Sequence, residues 1–271
     1  MTTILTKAPL IELIADLQWD IPHLPGHADG TGAPIMIPQS IVDPSHAENL
    51  FTRFIGSIYQ YGFRSAERLM PQGIVAPGQM VYRFRQGDTD APPVRMQIGA
   101  NQFSANALPP YKIWDEFRPW IESGVRALLE AQADNPVSLR ASVRYIDAFG
   151  PDLTDGLSST EFFDQKLGLS VGMPDALSKR LGDRKPKSLI KMVLPLEGRT
   201  MVVRTGDGFA NGRQAAILDT QVSVTQPVEP DLDTIMGAFD SAQQVIHHTF
   251  FELVVSIMDK LKPIEHDGSV H

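Results

Sequence analysis

The stretch from Asp231 to Leu261 constrains this chain most. Apolar residues fall at Leu232, Ile235, Phe239, Ala242, Ile246, Phe250, Leu253, Ile257 and Leu261. The steps are all three or four, the period of one helix face. Asp231 and Asp233 suit the start of a helix, and Lys260, Lys262 and Pro263 suit its end. Such a helix is about 45 Å long, and its stripe needs a broad surface, most simply a sheet.

The rest of the chain offers strands to build that sheet. Residues 10–19 alternate, with Ile11, Leu13, Ala15, Leu17 and Trp19 on one side. Further strands are expected at 79–86, 93–99, 138–147, 188–196, 199–205 and 215–225. Asp43-Pro44 opens a helix expected to run past Gly62 to about Leu69. A second helix is expected over 111–132, and short ones near 159–167 and 174–181. Gly206 to Gly212 reads as a long turn between strands. The expected class is α+β, with mainly antiparallel sheet and helices on one face. The order is β-α-β-β-α-β, a helical connector, then β-β-β-α. Residues 1–150 form an N-terminal α+β half, 151–187 the connector, and 188–271 a three-stranded sheet with the long helix. The whole also reads as one continuous domain.

Composition excludes several functions. There are no cysteines, which removes disulfides, thiolate metal sites and cysteine nucleophiles. A net charge of −8 argues against sequence-independent DNA binding. The first residues carry Lys7, Glu12 and Asp16 and do not read as a signal peptide, and no apolar run is long enough for a membrane helix. The expectation is a soluble cytoplasmic protein. No P-loop or dinucleotide fingerprint is present, so no cofactor is expected.

Histidines give weak signals. His23 and His27, near Asp20 and Asp29, lie in a Pro- and Gly-rich loop without metal-ligand spacing, so no metal is expected. His248 projects about 200° from the Ile246 stripe, one turn before Glu252, as an exposed pair. His247 lies nearer the stripe's edge. Trp114, Phe117 and Trp120 form either an aromatic platform or core. No catalytic residue is assignable.

One pattern stands out. The non-core strand positions hold Arg83, Arg85, Arg95, Arg140 and Arg144, with Arg204 a sixth. Lysine is absent from these positions, although the chain has nine. Guanidinium forks match phosphate and carboxylate. These six are the candidate anion-binding residues. Glu12, Asp16 and Asp219 also point away from the apolar faces, and would neutralise the arginines internally if they pair.

Several blocks carry a resemblance: Lys7 to Ile14, Val94 to Ile98 with Phe103 to Asn106, Tyr111 to Phe117, Leu139 to Asp147, Leu218-Asp219, and Phe239 to His248. In order and spacing they resemble a sporadically distributed bacterial family of uncharacterised proteins, nearly end to end. Asp147 stands where that family more usually has Asn. Patchy distribution is typical of mobile genes, including antiviral defence genes, so the resemblance implies a place among them. Two functions follow as expectations. The first is a non-catalytic binding or sensor protein, homo-oligomeric or paired with the product of a neighbouring gene. The alternative is an enzyme acting on a phosphorylated or nucleotide-like ligand at the arginine face.

Overall fold

The computed structural model describes residues 2–20, 44–86, 94–109, 113–133, 137–181, 184 and 186–266. A nine-stranded sheet organises them. Its strands are β2 (Leu10–Trp19), β3 (Ser65–Arg68), β4 (Met80–Arg85), β5 (Val94–Gly99), β6 (Gln102–Ala107), β7 (Leu139–Phe149), β8 (Ile190–Leu196), β9 (Arg199–Ala210) and β10 (Arg213–Val224). Their spatial order is β3-β4-β5-β6-β2-β7-β10-β9-β8. Every neighbouring pair is antiparallel. The sheet runs unbroken across residue 150, because β7 pairs with β10. A separate two-stranded sheet joins β1 (Thr2–Leu5) to β11 (Pro263–His266).

Three longer helices lie side by side on one face: α1 (Pro44–Ile58), α2 (Trp114–Ala131) and α6 (Leu232–Leu253). Short helices α3 (Pro151–Thr154), α4 (Ser159–Leu167), α5 (Asp175–Leu181) and α7 (Met258–Leu261) fill the connector and the C-terminal end. The class is therefore α+β, with the antiparallel sheet and long C-terminal helix that the periodicities require. The core lies between sheet and helices. Phe54 of α1 meets Phe84 of β4 and Phe103 of β6 at ring separations of 5.4 and 5.8 Å. Phe117, Ile121 and Phe239 are fully or almost fully buried. Among the described residues no helix is long and apolar enough to cross a membrane.

Four expectations need correction. The long helix does not reach Leu261. It ends at Leu253, and a 3-10 turn over Val255–Ile257 leads into α7. The β-branched pair Val254-Val255 favours a break. Tightening the chain there also buries Val254, Ile257 and Leu261 together. The first helix stops at Ile58, with a 3-10 turn to Tyr61, and not near Leu69. Gly62 then takes φ of 89°, a conformation that ends helices. Its continuation, Ser65–Arg68, is instead the edge strand β3. The segment from Gly206 is no long turn: β9 continues to Ala210, and Asn211-Gly212, both at positive φ, make a two-residue hairpin turn. Finally, β6, β1 and β11 are strands beyond those expected.

One glycine tests the packing of α2. A Cβ on Gly124 would lie 2.5 Å from the Phe103 ring and 3.0 Å from the Met96 sulfur. Alanine normally favours a helix interior by about 1 kcal/mol over glycine. Overpacking costs about 1–3 kcal/mol and should win here. Gly124→Ala is expected to lower the melting temperature, and a rise would show that the Phe103 ring yields freely.

Candidate functional site

Strand register puts all six arginines on the sheet face opposite the helices. Arg85 lies directly opposite Arg95, Arg95 opposite Asn106, and Asn106 opposite Ile14. Ile14 in turn faces Arg144, and Arg204 faces Asp219. In β2, β5, β7 and β10 the inward alternate residues are buried, such as Leu13, Met96, Val143 and Leu218.

Pairing splits the six into two groups. On the β7 side each arginine has a close carboxylate partner. Arg144 grips Asp219 through two hydrogen bonds of 2.7 and 2.8 Å, and Arg204 reaches the same carboxylate at 3.3 Å. The Asp219 hydrogen bond, chiefly, raises the Arg144 guanidinium above its ordinary value. Arg140 holds Asp20 at 2.8 Å. The expectation that Asp219 neutralises arginines is met. Glu12 instead accepts from the Asn106 amide at 2.8 Å.

The β4–β5 end is different. Arg83 and Arg85 share one oxygen of Glu67, at 3.5 and 3.4 Å, which is long for a charged pair. Arg95 has no ion pair among the described residues. Burial lowers its guanidinium from the ordinary value, and Arg85 and Arg83 lower it further, against Glu12 and Glu67. The Nε atoms of Arg83 and Arg85 are buried without a hydrogen-bond partner. Among the described residues the ion pairs of these three cations thus go to one carboxylate, Glu67, and the Arg83 and Arg85 Nε donors stay unsatisfied. Like charges directly across a ladder are unfavourable, so this end is suited to an anion.

The centre of the face holds Asp16. Burial pushes its carboxyl up to about 7, against a hydrogen bond from Gln18 and the charge of Arg144. Ser104 and Ser142, its cross-strand partners, are both buried.

A second polar centre lies on the helix side. Asp147 belongs to the inward row of β7, with Val143, Tyr145 and Phe149, and is 3% exposed. Burial alone pushes its carboxyl up to about 8. It lines a cavity of about 430 Å³ together with Trp114, Asp240 and His247. The resemblance flagged Asp147 only as a departure. The usable signal was an acid in the apolar phase of an alternating strand.

The remaining candidates resolve simply. His248 and Glu252 form an exposed pair at 3.1 Å. His247 is half-buried against Phe251, and burial lowers its imidazole, aided by His248. Asp231 caps α6 by accepting from the Thr234 backbone N–H. Phe117 is core, whereas Trp114 and Trp120 are only partly buried at its margin. His23, His27 and Asp29 lie outside the described residues. Among those described, no three His, Asp or Glu side chains cluster to hold a metal. Compared with known protein families, with curated proteins and with solved structures, the chain has no significant match.

Proposed function

We propose that this is a non-catalytic binding or sensor protein that takes a phosphate-bearing ligand at Arg83, Arg85 and Arg95. The observation that carries this reading is the excess of these cations over their ion-pair partner Glu67 among the described residues, with the Arg83 and Arg85 Nε donors unsatisfied. Phosphate offers several acceptor oxygens and the charge that the three lack. Arg140, Arg144 and Arg204 serve chiefly to hold the sheet face together.

A protein partner completes the reading. The outer edge strand β8 carries Val193, Leu194 and Leu196 exposed, next to Leu189 at 85% exposure. Exposed apolar edges favour pairing with another chain. The partner is a second copy or the product of a neighbouring gene, in the cytoplasmic antiviral-defence setting that the family resemblance implies.

The alternative, an enzyme acting on the same ligand class, is favoured by Asp16 alone. A carboxyl pushed up to about 7 is suited to proton transfer at neutral pH. It sits two strands from Arg95, with β6 between.

Titration with inorganic pyrophosphate tests the site. Wild type should bind, and Arg83→Gln with Arg95→Gln should weaken binding at least about tenfold. The double variant should keep its circular dichroism spectrum. Equal affinity in both proteins, or none in wild type, would remove the site.

A further inference from the structure

The cavity beneath Asp147 has a different character from the arginine face. Its walls are the N-terminal segment at Leu5 and Ala8 to Leu10, the start of α2, strand β7 and the middle of α6. The volume, about 430 Å³, is in the range of small-molecule sites. Trp114, Phe250 and Phe251 supply aromatic surface.

The charges inside are unequal. Asp240 is fully engaged: it accepts from the Trp114 indole at 2.8 Å and from Arg118 through Nε and Nη2 at 3.0 Å each. Arg118 is thereby committed, and it is the one cationic side chain lining the cavity among the described residues. Burial keeps His247 below its ordinary value. Asp115 adds a further acid at the rim and Tyr145 a phenol. From the neighbouring strands, Leu10 and Leu218 face Asp147, and neither titrates.

Asp147 is the group left over. No hydrogen bond or ion pair reaches its carboxyl among the described residues. A buried acid in an apolar layer is costly unless something pairs with it. We propose that this cavity binds a small protonated amine with an apolar body, its ammonium paired with the Asp147 carboxylate. Aromatic faces around a cation add attraction. Among the described residues an anion would meet three acids and no uncommitted cation there.

Proton balance follows from the pairing. In the free protein at pH 7 the Asp147 carboxyl, pushed up to about 8, is mostly protonated. The incoming ammonium keeps its own protons. The carboxyl must ionise to pair with it, so one proton leaves for solvent.

The test is calorimetric titration of the full chain with 2-phenylethylamine at pH 7, in two buffers of different ionisation enthalpy. 2-Phenylethanol is the uncharged comparison. The amine should bind at least about tenfold more tightly than the alcohol and release close to one proton. Asp147→Asn should lose that preference and that proton. Arg83→Gln with Arg95→Gln, on the other sheet face, should bind the amine as wild type does. If Asp147→Asn does not fold, the amine-to-alcohol ratio and the proton count in wild type still decide. Equal affinity for amine and alcohol, no proton release, or no amine binding at millimolar concentration would each overturn the proposal.

Discussion

Phe239→Ala should lower the melting temperature by roughly 10 °C. Phe239 is 0% exposed and sits at the centre of the α6 stripe, between Met236 and Ala242, both buried. Removing a core phenyl costs about 3–5 kcal/mol, because transfer energy is lost and a cavity remains. For a chain of this size each kcal/mol moves the midpoint by about 2–4 °C. Two comparisons fix the helix face. Phe250 is only partly buried, so Phe250→Ala should cost clearly less. His248 is 79% exposed and paired only with exposed Glu252, so His248→Ala should hardly register. Thermal melts of the three variants check the ranking. A larger loss for His248→Ala than for Phe239→Ala would place the wrong face of α6 on the sheet.

Stability should fall as pH rises from about 4 to 8, and Asp147 should cause much of the fall. An unfolded Asp titrates near 3.9, whereas Asp147 in the fold is pushed up to about 8. Between those values the unfolded chain has released the proton and the folded chain retains it. The folded state therefore binds more protons, and its stability declines with pH through that window. The contribution is fully present below about pH 4 and lost by about pH 8, roughly 5–6 kcal/mol for a shift of this size. Asp16, pushed up to about 7, acts in the same direction over a narrower window. Asp155, Asp207 and Asp231 are each held below the ordinary value, first by a hydrogen bond. They act only in the acid range, with the opposite sign. Asp147→Asn carries no titrating proton, so its melting temperature should vary less between pH 5 and pH 8.5. Parallel profiles for wild type and variant would show that Asp147 does not titrate in this window.

Much of this architecture was legible because alternation and helical period are strong where one face is buried and the other wet. The strand at Leu10–Trp19 and the stripe of α6 are examples. The arginine positions were legible for the same reason: Arg83, Arg95 and Arg144 occupy the outward phase of clear alternations. Other elements gave no such signal. All six residues of β6 are buried, and Ser104, Ala105 and Asn106 show no alternation. Ser65–Arg68 has one small apolar residue among polar ones, so only its pairing with β4 makes it a strand. Glu67 was missed with it, and among the described residues Glu67 is the carboxylate that forms ion pairs in the arginine trio. The strands β1 and β11 join the two ends of the chain, a contact that no local pattern encodes. The bidentate grip of Arg144 on Asp219 depends on register between β7 and β10, which periodicity alone does not set.

Phosphorus-31 NMR of ADP with the full-length chain tests the central claim most directly, since one spectrum reports both binding and turnover. The account predicts that the β-phosphate resonance shifts or broadens on adding protein. It predicts no new phosphorus resonance after prolonged incubation, and a clearly smaller perturbation with the Arg83→Gln, Arg95→Gln variant at the same concentrations. An unperturbed spectrum with wild type would contradict phosphate recognition at this site, and a growing product resonance would contradict a non-catalytic role.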